Sequence, residues 1–90
     1  MAVLVRYFAA AAAAAGTTEE HYDLTPGATV DDLLSEIVAT NRPKPPAGTP
    51  ELGRLLTRSS FLRNEVAVRD RSIALDPQDV LDILPPFAGG

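Results

Sequence analysis

The most sustained helical period in this chain runs from Val30 to Val38, and it limits what the remaining residues can build. Val30, Leu33, Leu34, Ile37 and Val38 recur at i, i+3, i+4, i+7 and i+8, an apolar stripe suited to covering a sheet. Thr29 stands where an N-cap oxygen is wanted. Asp31 and Asp32 fall in the first turn, where carboxylates oppose the positive end of the helix dipole, and Asn41 is the expected stop. That position explains the two aspartates better than a catalytic or metal pair does.

The flanking segments carry strand signals. Val3 to Phe8 alternates, with Val3, Val5 and Tyr7 on one face and Leu4, Arg6 and Phe8 on the other. Seven alanines, Ala9 to Ala15, then predict one or two helical turns stopped by Gly16. Glu19 to Leu24 reads as a second, weaker strand, followed by a turn at Thr25-Pro26-Gly27. Residues 41–50 hold four of the eight prolines and no regular period, so they predict a surface loop. Leu52, Leu55 and Leu56 suggest a short helical turn. Phe61 to Val68 reads as a hairpin broken at Asn64-Glu65, and Ile73 to Leu75 precedes a turn at Asp76-Pro77-Gln78-Asp79. Val80 to Leu84 is the last strand, stopped by Pro85-Pro86. One main helix on a mixed sheet makes a two-layer α+β fold, expected as a single domain over residues 1–90 with a flexible tail from about residue 85.

Composition narrows the function. Eight Lys+Arg against twelve Asp+Glu give a net charge of −4 with no basic cluster, so nucleic acid is not the expected partner. With no cysteine, thiolate metal sites, disulfides and cysteine nucleophiles are excluded. A lone histidine, His21, leaves no triad or metal cluster to assemble. Ser35, Ser59, Ser60 and Ser72 lack a nucleophile-elbow context. The longest uncharged run, Tyr7 to Thr18, is twelve residues, short of the roughly 20 needed to span a bilayer. Arg6 and the bulky Tyr7 and Phe8 do not suit a secretion signal, so a cytoplasmic chain is expected.

The end of the sequence is more informative. A hydrophobic strand leads into the stiff Pro85-Pro86 pair, then Phe87, Ala88, Gly89 and Gly90. Glycines without a Cβ can enter a channel too narrow for any other backbone. The prolines restrict where the segment points, which lowers the cost of ordering it in a partner, and Phe87 offers an anchor at the entrance. Capture of a terminal carboxylate is an established recognition mode.

The run Leu84-Pro85-Pro86-Phe87-Ala88-Gly89-Gly90 resembles the end of the sulfur-carrier, or small, subunit family of molybdopterin synthase. Val5-Arg6-Tyr7-Phe8-Ala9 through Gly16 is similar to that family's first strand, inserted helix and closing glycine. Thr29-Val30-Asp31-Asp32-Leu33, Asn64 and Leu75…Asp79-Val80 extend the likeness over nearly the whole chain. Three positions depart from it: uncharged alanines fill the inserted helix, Gln78 stands where glycine is common before Asp79, and Glu65 replaces the glycine after Asn64.

The resemblance implies a ubiquitin-like β-grasp fold and a carrier role without a bound cofactor or metal. The Gly90 carboxylate would be adenylated, with ATP and Mg²⁺, by a partner of the ubiquitin-activating type. A sulfur donor would convert it to a thiocarboxylate, and the tail would then enter the large synthase subunit to deliver sulfur to a cyclic pyranopterin. Gly90 is thus the implied reacting residue, and Gly89, Ala88, Phe87, Pro86, Pro85 and Phe8 the implied partner contacts, with Leu4 beside Phe8. Two other outcomes share this chemistry: a carrier for thiamine thiazole or cysteine synthesis, and a protein modifier joined to lysines through Gly90. The helix inserted after the first strand favours the molybdopterin reading over the thiazole one.

Overall fold

The computed structural model describes residues 1–86. The elements run β1 (Ala2–Tyr7), α1 (Ala10–Ala15), β2 (Glu19–Asp23), α2 (Val30–Ala39), α3 (Leu52–Leu56), β3 (Ser60–Arg63), β4 (Val66–Ala67) and β5 (Val80–Leu84). The strands form one mixed sheet in the order β2-β1-β5-β3-β4. Central β1 and β5 are parallel, with Arg6 opposite Asp82, while β2 and β3 flank them antiparallel. This is the β-grasp arrangement expected from the sequence.

Strand alternation decides where the core sits. Val3, Val5 and Tyr7 from β1, Leu81 and Ile83 from β5 and Phe61 from β3 are buried on one face. Val30, Leu33, Leu34 and Ile37 of α2, Leu52 and Leu56 of α3, and Ala11, Ala14 and Ala15 of α1 complete the same hydrophobic cluster. Small alanine side chains let α1 lie close to its neighbours, which is how so short a helix is held. Gly16 ends α1 in the left-handed region at φ 78°, its N–H donating to the Ala12 carbonyl. One member of the expected stripe departs from it: Val38, at the stripe's edge, is 56% exposed.

The start of α2 is a capping box. Thr29 Oγ1 accepts from the Asp32 N–H, and the Asp32 carboxylate accepts from the Thr29 N–H. Asp31 pairs with Arg71 at 3.1 Å. The helix stops at Ala39, with Thr40 rather than Asn41 as its C-cap.

The proline-rich loop is fastened by Arg42. Its guanidinium grips Glu20 through two hydrogen bonds of 2.7 and 2.9 Å. It also donates to the carbonyls of Ala15, at the end of α1, and Ile37, in the last turns of α2. A cation suits both places, since carbonyls near helix C-termini carry partial negative charge. Tyr7 and Tyr22 donate their hydroxyls to the same carboxylate. One residue therefore joins two helix ends to the β1–β2 pair.

Candidate functional site

All three helices pack on one face of the sheet, so the other face is bare among the described elements. Leu4, Arg6 and Phe8 point there from the first strand and its end, Val80, Asp82 and Leu84 from β5, and Leu62 from β3. Phe8, named from the sequence as a partner contact, is 40% exposed, which is unusual for a ring of that size. Leu4 is half-buried on the same face, and Leu62, Val80 and Leu84 join it. Sequence reasoning passed over these last three as partner contacts. Their alternation was visible, but only the sheet order puts β3 and β5 beside β1.

An ion pair sits in the middle of this apolar surface. Arg6 Nε donates to Asp82 Oδ1 at 2.6 Å and Nη2 to Oδ2 at 2.8 Å, a bidentate pairing across the central parallel strands. The hydrogen bonds to Asp82 and its charge raise the Arg6 pKa further above its ordinary value. This pair also escaped the sequence reading. Its signal was a charged residue at an even position in each of two otherwise apolar strands.

A second polar cluster closes one end of the sheet. Arg63 donates to Asp79 at 2.7 Å and to Asp76 at 2.8 Å. Asn64 donates to Asp79 and accepts from the Val80 N–H, both at 2.9 Å. Burial pushes the Asp79 carboxyl up, but the Asp76 N–H, Asn64 and Arg63 outweigh it and hold its pKa below the ordinary value. The cluster fixes the turn that launches β5.

β5 leads directly toward the chain end. Pro85 is half-buried and Pro86 exposed at the end of the described chain. Phe87, Ala88, Gly89 and Gly90, the remainder of the implied site, lie outside the described residues. His21 is exposed on β2, opposite Leu4 in register. Among the described residues no group of three or more His, Cys, Asp or Glu is placed to hold a metal ion, and no helix is long and apolar enough to cross a membrane. The described geometry is that of an open, partly apolar sheet face carrying one ion pair.

Comparisons with known proteins agree with this fold. The sequence model of the ThiS family matches residues 5–90. The chain is 33% identical over 91 residues to the molybdopterin synthase sulfur carrier subunit of Chlamydomonas reinhardtii, covering all of both proteins. The crystal structure of SAMP1 from Haloferax volcanii is similar with a TM-score of 0.79 at 26% identity, again over the whole of both chains. A chain in the protein–protein complex of subunits 1 and 2 of the molybdopterin-converting factor from Helicobacter pylori shares the fold, with a TM-score of 0.61 at 21% identity and full coverage of both chains.

Proposed function

The chain belongs to the ThiS family, and we propose on that premise that it is the sulfur carrier of a molybdopterin synthase. The observation that carries the reading is the whole-length match to a sulfur carrier subunit, joined to a sequence that runs from β5 through Pro85-Pro86 into Gly89-Gly90. The Gly90 carboxylate, with a reference pKa of about 3.5, is ionised at neutral pH and a poor electrophile. Its oxygen attacks the α-phosphate of ATP, and pyrophosphate leaves. This step belongs to an adenylating partner of the ubiquitin-activating type, which also holds Mg²⁺. Hydrosulfide supplied by a donor then attacks the carbonyl carbon of the acyl-adenylate, AMP departs, the S–H proton is lost to solvent, and Gly90 is left as a thiocarboxylate.

The charged end next enters the large synthase subunit, where its sulfur passes to a cyclic pyranopterin. Acid–base and oxyanion-stabilising groups for that transfer belong to the large subunit. This chain contributes a folded handle, the open sheet face with Phe8, and a slender end that places the sulfur. Phe87 and Ala88 line the entry on this reading, and Pro85-Pro86 set its direction. Titrated with ATP, Mg²⁺, a sulfur donor and the cognate adenylating enzyme, the protein should gain the mass of one oxygen-to-sulfur exchange, located at Gly90. Molybdopterin should then form once large subunit and precursor are added. An unchanged terminus in the presence of demonstrably active enzyme would defeat the carrier reading.

The likeness to SAMP1 and to small archaeal modifier protein 1 of Haloferax volcanii favours one second reading. In it the activated Gly90 carbonyl is captured by a lysine amine of another protein. Isopeptide-linked products in place of a free thiocarboxylate would select it.

A further inference from the structure

We propose that Arg6 is the specificity-determining residue of the open sheet face, and that the large subunit docking there presents an oxygen acceptor, a carboxylate or a main-chain carbonyl, directly over its guanidinium. This rests on the carrier reading above and deepens it. Arg6 spends Nε and one N–H of Nη2 on Asp82. A guanidinium has five N–H donors in a fixed fork, so three remain, and the described residues supply them no acceptor.

The two charges are not equally exposed. The Asp82 side chain is 7% exposed, already sealed beneath Arg6, whereas Arg6 is 37% exposed and forms the outer surface of the pair. Leu4, Phe8, Leu62, Val80 and Leu84 flank it with apolar groups on the β5 side, while the exposed Glu19, its register partner on β2, and Glu65 add negative charge without a hydrogen bond to it. A partner covering that surface must strip water from the three remaining donors. Unmet donors on a buried charge are costly, so a purely apolar partner surface would be rejected, while one acceptor set in an apolar surround would be selected. Asp82 acts as a positioning residue: its bidentate grip holds the fork in one orientation before contact.

The occupant is argued from the route of the chain. β5 carries Val80, Asp82 and Leu84 on this face and leads directly into the segment that must enter the large subunit. A partner that takes up that segment is brought to the end of β5, beside Leu84 and the open face.

The test uses the full-length protein and the purified large subunit, with affinity measured by calorimetry and folding by thermal denaturation. Arg6→Leu/Asp82→Leu replaces the pair with apolar groups and should fold at least as well as wild type, since such replacements are commonly neutral or stabilising. It should nonetheless bind about tenfold more weakly, the order expected when a charged hydrogen-bond donor is lost. Arg6→Lys keeps the charge against Asp82 but loses the planar fork, and should also bind more weakly with its fold retained. Equal or tighter binding by both variants would overturn the assignment and leave the carrier reading standing. Failure of the wild-type protein to bind the large subunit would overturn both.

Discussion

Three residues adopt left-handed backbone at turns where glycine is the easier occupant. Glu65 has φ 69° and Gln78 φ 66°, the two turn positions where the sequence resemblance implied glycine; Ala9, before α1, has φ 50° with ψ −128°. A Cβ in these regions costs about 1 kcal/mol or more, offset in part because glycine also loosens the unfolded chain. Glu65→Gly and Gln78→Gly should therefore each raise the free energy of unfolding by about 0.5 kcal/mol, read from urea denaturation at neutral pH. Asn64, at φ 49°, is different: its side chain holds Asp79 and the Val80 N–H, so the residue is retained for its bonds. On the proposed carrier role, Gly89→Leu should abolish sulfur transfer while leaving the thermal midpoint unchanged. Retained transfer would remove the argument for a narrow receiving channel.

The Arg42 fastening shows how elements are assembled from unequal parts. Neither α1, with six alanines, nor the proline-rich loop has strong folding tendencies of its own. One buried guanidinium bridges the ends of both helices to Glu20, and its Cζ lies 5.7 Å from the centre of the Tyr7 ring. Arg42→Ala strands the Glu20 carboxylate beside two tyrosine hydroxyls and opens the loop. It should cost about 2 kcal/mol of stability, less than a fully buried pair because Glu20 keeps partial contact with water. Hydrogen exchange should show α1 losing protection while the α2 core is spared. If α1 exchange is unchanged, the arginine is not what holds that helix.

At the scale of the whole molecule, two carboxylates tie stability to pH. Burial raises the Glu20 pKa, but the Arg42 hydrogen bonds and the two tyrosine hydroxyls reverse this and leave it below its ordinary value; Asp79 is likewise lowered. A folded-state pKa below the unfolded one gives stability that is complete above the ordinary carboxylate range, about 4, and lost as pH falls through the depressed value. Unfolding free energy should be level from pH 7 to about 5 and decline below about 4. Glu20→Gln with Asp79→Asn should flatten that acid limb; an unaltered slope would place the acid sensitivity elsewhere.

Much of this was legible in the chain. The i, i+3, i+4 stripe, Thr29 and the alternation of Val3, Val5 and Tyr7 report local geometry, and local geometry is what sequence period encodes. Long-range partners were not legible. Arg6 meets Asp82 across 76 residues, and Arg42 meets Glu20 only once α1, α2 and β2 have packed. Val38 fits the helical period yet faces solvent, because the extent of the covering layer is set by the sheet beneath it.

The central position of β5 carries a mechanical consequence. That strand is bonded on one side to β1 and on the other to β3, so a pull on its end loads both ladders along their length, in shear. An edge strand tugged in the same way would unzip one bond at a time. On the proposed carrier role, in which the end is drawn into one macromolecule after another and withdrawn again, the protein is gripped where its sheet is hardest to tear.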